Sequence, residues 1–199
     1  MIPLRDNIRS RSRPLVMYAL VAVNALVFWH ELSLGRSVYV FFYRYGLVAR
    51  EFWTSPDLLD RVVPLITSMF IHVGWVHFLG NMLYLWIFGD NVEDRMGRGR
   101  FLAFYLTCGV LASLAQMIVN PFSNVPMVGA SGAIAGVLGA YLRLFPGARV
   151  IALVPFFFFL HLAEVPAVIF LVLWFFMQLA QGTLALAAMP SGGPAFWAH

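Results

Sequence analysis

This chain encodes an all-α polytopic membrane protein, and three observations carry that expectation. Hydrophobic residues fill 61% of its 199 positions and charged residues only 11%, too little polar surface for a water-soluble domain of this size. The apolar residues gather into runs approaching twenty, the length a helix needs to cross a hydrocarbon core of about 30 Å. All 13 cationic side chains are arginine, and they fall unevenly among the turns between those runs, as orientation in a bilayer requires. The net charge of +4 is therefore read as topology rather than as affinity for nucleic acid.

The elements follow in order. Residues 1–14, MIPLRDNIRSRSRP, form a basic segment expected on the cytoplasmic side, with the membrane domain filling residues 15–199. The first span is predicted over Leu15 to Trp29, and no small-residue cleavage site follows it, so it is expected to stay rather than leave as a signal peptide. Glu31 to Asp60 mixes aromatic residues with balanced charge and is expected to lie in the outer interface. The second helix is predicted from near Gly74 through Phe88, followed by the polar stretch GDNVEDRMGRGR, and the third from Phe101 to Val119. The turn NPFSNVP then leads into a helix from Ser131 to Phe145, stopped by Pro146 and Gly147.

Beyond Val150 the chain is apolar but divided by Pro155, His161, Glu164 and Pro166, which predicts a strand-like interfacial piece and a fifth span from about Val165. PSGGPAFWAH then starts a sixth helix, present as its first turn. A cytoplasmic N-terminus puts nine arginines inside, at positions 5 to 13, 95 to 100, 143 and 149, and four outside, Arg36, Arg44, Arg50 and Arg61. The lone Cys108 excludes an internal disulfide and is read as packing. No repeat suggests a transporter.

The helix at Ser131 is too short to span. About fifteen residues rise roughly 22 Å, so Ser131 is expected on the order of 8 to 10 Å below the outer surface. The loop entering it must descend, and irregular backbone at that depth requires protein or a wet cavity around it. A helix N-terminus presents unpaired N–H groups and partial positive charge, which suits a developing oxyanion. Gly132, Gly136 and Ala140 recur every four residues, a face on which another helix is expected to pack closely, and a histidine on that partner would reach the serine. If the sixth helix begins at Pro194, His199 lies about 7 to 8 Å deep, level with Ser131. Ser131 as nucleophile with His199 as general base follows. His77 and Asn81 share a helix face and offer further donors to a tetrahedral intermediate.

Together these residues resemble the rhomboid family of intramembrane serine proteases. The likeness rests on GASG around Ser131 with Gly129 and Gly132, HVGWVHFLGNM with His72, His77 and Asn81, VEDRMG with Glu93 and Arg95 in the loop after the second helix, and AH at His199. It implies a six-helix bundle whose sixth helix is here cut short at its first turn, and a Ser131–His199 dyad. It also implies an oxyanion site of the Ser131 N–H, His77 and Asn81, and no metal or cofactor. Substrates would be membrane-anchored proteins cut in or near a transmembrane segment, with the fifth helix acting as a gate. Two positions depart from the family pattern: Val63 and Pro64 stand where many members carry Trp-Arg, and Ala135 where several carry an aromatic residue.

Simpler roles stand beside these. Ser131 alone reads as a cap or small packing residue, His30 and His161 as interfacial, His72 as wetting the cavity or ending the outer loop, and the Glu93–Arg95 pair as an inner-side tether. Two function classes are expected: an intramembrane endopeptidase, or a non-catalytic relative that binds transmembrane helices for quality control. A bacterial plasma membrane is the expected location; oligomeric state is open.

Overall fold

The structure, a computed structural model, describes residues 1–156 and 159–176. The turn at Pro190, the start of the sixth helix and His199 lie outside the described residues. A strand, β1 (Ile2–Asp6), precedes the first long helix, α1 (Leu15–Ser33). The interfacial stretch expected after it folds into short helices, α2 (Val38–Tyr45), α3 (Ala49–Thr54) and α4 (Leu58–Thr67), with the two-residue strand β2 (Leu47–Val48) between α2 and α3. A 3₁₀ turn at Ser68–Phe70 and four irregular residues lead to α5 (Trp75–Met96), which leaves at 81° to the preceding helical segment.

Next come α6 (Arg98–Val119), the short strand β3 (Pro126–Met127), α7 (Ser131–Leu144), and a hairpin of β4 (Arg149–Phe156) and β5 (Phe159–Pro166). An apolar helix, α8, is described over Ala167–Phe176. The strand-like piece expected beyond Val150 corresponds to β4 and β5, and the part of the expected fifth span that falls within the described residues is helical, as α8.

Both α1 and α6 are long and apolar enough to cross a membrane, and only 17% of the most apolar stretch of α6 is buried within the protein. Its hydrophobicity is not explained by the core, so it faces lipid; Ile118 and Val119 are among its most exposed residues. The core lies where α5, α6 and α7 meet, around Leu85, Phe88, Val92, Phe101, Tyr105 and Tyr141, all fully buried.

One expectation is corrected here. Glu93 and Arg95 do not stand in a loop: α5 continues through them to Met96, and its 22 residues give about 33 Å, a little more than the hydrocarbon thickness. The charged run is the end of the helix rather than a coil. A single residue then joins α5 to α6, and it must be glycine because Gly97 sits at φ +81°.

The C-terminal end of α5 gathers the N-terminal segment. The buried Glu93 carboxylate accepts the backbone N–H groups of Val16 (3.1 Å) and Met17 (2.7 Å), two donors that the first turn of α1 cannot satisfy itself. Asp94 accepts from the Arg11 and Ser12 N–H groups and from the Ser12 hydroxyl. The Arg95 guanidinium lies 5.6 Å from the centre of the Phe145 ring.

Residues 2–6 form no loose tail. They pair antiparallel with β4, from Ile2 opposite Leu153 to Asp6 opposite Val150, giving a three-stranded sheet in the order β1-β4-β5. Asp6 accepts from Tyr141 and Asn91, yet burial outweighs these donors and holds its carboxyl above the ordinary value. Replacing Glu93 by alanine strands two N–H groups at a buried helix end and is expected to cost on the order of 2 kcal/mol. Denaturation in detergent micelles measures it, with Glu93→Gln losing less because its amide oxygen still accepts.

Candidate active site

Ser131 is the first residue of α7 and is 8% exposed. The ladder of α7 begins with the Ile134 N–H donating to the Ala130 carbonyl at 3.0 Å, so the N–H groups before it lie outside the ladder, at the positive end of the helix. The loop leading there is pinned twice. β3 pairs antiparallel with β2, Leu47 opposite Met127 and Val48 opposite Pro126, and the Gly129 N–H donates to the Ser68 carbonyl at 2.8 Å. Gly129 takes φ +129°, a conformation that L side chains rarely adopt, so this step into α7 requires glycine.

Two sets of contacts fix the level of α5 against α7. At one end stands the Gly129 to Ser68 bond, just ahead of both helices. At the other, Asn91 of α5 and Tyr141 of α7 both donate to Asp6, and the Phe88 and Tyr141 rings meet at 4.9 Å. The helices therefore run in the same direction. Counting back from the Phe88–Tyr141 contact at about 1.5 Å per residue, Ser131 lies about 15 Å along α7, with Asn81 and His77 about 10 Å and 16 Å along α5. In level along the two helices, Ser131 falls between Asn81 and His77.

The Asn81 side chain is buried, and its Nδ2 has no hydrogen-bond partner among the described residues. A stranded amide donor costs about 1–3 kcal/mol, and such groups call for an explanation in a folded protein. His77 is half-buried, and its ring centre stands 5.0 Å from that of His72. His72 is only 1% exposed and occupies the irregular corner before α5. Glu93 and Arg95 are elsewhere: Glu93 is sixteen residues, about 24 Å, along α5 from His77. His199 lies outside the described residues.

Among the described residues, the glycine face of α7 packs closely on another helix. A Cβ on Gly132 would stand 2.5 Å from the Ala112 Cβ, and one on Gly136 would stand 2.4 Å from the Cys108 Sγ. The helix seated there is α6, which carries no histidine; the helix expected to carry His199 lies outside the described residues. The close approach is made by Cys108 and Ala112 of α6, four apart, which complement Gly136 and Gly132 across consecutive antiparallel helices. Cys108 is free and half-buried in that seam. The sequence read α7 for its small residues but not the matching pair on α6.

The chain is similar to known proteins. A family model described as the rhomboid domain matches residues 59–199. The chain is 45% identical over 78 residues to the rhomboid protease GluP of Bacillus subtilis, covering 39% of this chain and 15% of that protein. It is 31% identical over 145 residues to rhomboid protein 1, mitochondrial, of Saccharomyces cerevisiae, covering 70% of this chain and 39% of the relative. The putative rhomboid protease YdcA of Bacillus subtilis is 30% identical over 119 residues, 60% of this chain and 51% of that one. The chain thus spans about half or less of each relative's length. With a domain match over most of its residues and helices built for lipid, this integral membrane protein belongs to the rhomboid family.

Proposed function

We propose that the protein is an intramembrane serine endopeptidase that cuts membrane-anchored proteins within or near a transmembrane segment. Ser131 attacks the scissile carbonyl carbon while its hydroxyl proton passes to the His199 imidazole. The carbonyl oxygen becomes an oxyanion, received by the Ser131 N–H, Asn81 and His77. Collapse breaks the C–N bond, the leaving amine takes the proton from His199, and water then releases the acyl group by the same relay. Gly129 and the α6 seam at Gly132 and Gly136 place Ser131; His72, Glu93 and Arg95 serve the scaffold.

The observation that carries this reading is the buried Asn81 amide, without a hydrogen-bond partner among the described residues, at the level of a serine that opens a helix. Relatives named as proteases support it. The membrane is proposed to be a bacterial plasma membrane with the N-terminus cytoplasmic, on the arginine distribution and the Bacillus relatives.

The test is covalent labelling of the full chain in detergent with a fluorophosphonate, followed by peptide mapping. The expected result is one adduct, on Ser131, greatly reduced in His199→Ala. A folded chain that takes up no probe overturns the assignment and leaves the non-catalytic role, whereas an adduct on another residue overturns Ser131 as the nucleophile.

A further inference from the structure

Glu31, near the end of α1, is an ionisable side chain that the proposed chemistry does not use, yet it is 4% exposed. Its carboxylate reaches across to the His72 N–H, at 3.1 Å from one oxygen and 3.3 Å from the other. Among the described residues this is the only hydrogen bond its side chain makes. Burying a carboxylate is costly unless it is paired, so a chain that places one here gains something at the His72 corner. Between Phe70 and Trp75 the backbone is irregular while the chain turns through 81°, and N–H groups of such a segment inside a membrane protein need partners.

The same end of α1 grips the corner from a second side. Phe28 stacks on Phe78 with ring centres 4.5 Å apart and nearly parallel planes, and meets Trp75 edge-on at 5.1 Å. Phe78 adjoins His77, and the His72 ring packs against both. The first turn of α5 is therefore set from α1, through Glu31 to the backbone and through Phe28 to the rings.

We propose that Glu31 is a positioning residue of the oxyanion site: by holding the His72 corner it fixes the direction in which the first turn of α5 presents His77. This rests on the endopeptidase reading. It also assigns His72 a structural purpose, since its N–H is the anchored atom and its ring is the wall behind His77.

The test compares the full chain with Glu31→Gln, Glu31→Leu and Glu31→Asp in detergent, measuring kcat and KM on a transmembrane substrate, with thermal melting as the control for folding. Removing an oxyanion donor costs about 10²–10³ in kcat, and misdirecting one is expected to cost about 10- to 100-fold. Glu31→Leu should show that loss in kcat with KM within about twofold. Glu31→Gln, whose amide oxygen still accepts from His72, should recover to within about fivefold. Should Glu31→Leu fail to fold, Glu31→Asp, one methylene short of the N–H, carries the same expectation of reduced kcat.

A folded Glu31→Leu or Glu31→Asp at parental kcat overturns the proposal. So does a folded Glu31→Gln as impaired as Glu31→Leu, or a loss confined to KM. An inactive parent chain overturns the endopeptidase reading and this inference with it, whereas an active parent with an indifferent Glu31 removes only the latter.

Discussion

Exchanging Ser131 for alanine is expected to reduce turnover of a transmembrane substrate by on the order of 10⁴-fold or more, about 5.5 kcal/mol of transition-state stabilisation. The size follows from the step that is lost: without the hydroxyl no acyl-enzyme forms, and the remaining donors act on a carbonyl that only water attacks. The fold should be indifferent. Ser131 is the first residue of α7 rather than its cap, a position that belongs to Ala130. Alanine is also the better helix former by a few tenths of a kcal/mol. Unchanged melting with abolished cleavage is therefore expected. Residual cleavage near the parental rate in Ser131→Ala would show that another group is the nucleophile.

The second large effect is at the seam between α6 and α7. A Cβ at Gly136 would stand 2.6 Å from the Cys108 Cβ, and neither atom sits at the end of a flexible side chain that can swing away. Gly136→Ala must push the helices apart, an overpacking cost of about 1–3 kcal/mol offset by up to about 1 kcal/mol of helix propensity. Gly136→Leu carries the same clash and three further carbons, and is expected to lose more than about 3 kcal/mol and most of the folded protein.

Activity should fall ahead of stability, because α7 carries Ser131 at its end and a shift of about 1 Å can cost about 10²-fold. The rescue is specific: Cys108→Gly restores Gly136→Ala, and Ala112→Gly restores Gly132→Ala, by removing the atom that the new methyl meets. Melting and cleavage of the two double variants check this. If neither rescues, the close approach is not what these glycines serve.

How much of this was legible in the chain depends on the range of each interaction. The helix starting at Ser131, its brevity and the shared face of His77 and Asn81 are properties of one element, set by periodicity and by Pro and Gly punctuation. They can be read residue by residue. The end of α5 was misread because a charged run looks like a loop whether it is solvated coil or the emerging end of a helix, and only the length of the helix relative to the bilayer separates the two. Glu31 read as the start of an interfacial stretch, since nothing within a few residues of it needs a carboxylate.

The amino-acid sequence by itself determined that this is a lipid-embedded helical protein with a serine at the head of a short helix, because hydropathy and helical period act over a few turns. Tertiary structure alone decided which surfaces meet. Glu31 finds His72 at a separation of 41 residues and Glu93 finds Met17 at 76; β1 pairs with β4, and α6 takes the glycine face of α7. Each of these is a choice among many sterically similar partners, and it is made by the backbone donors and the volume left over once all the helices are packed.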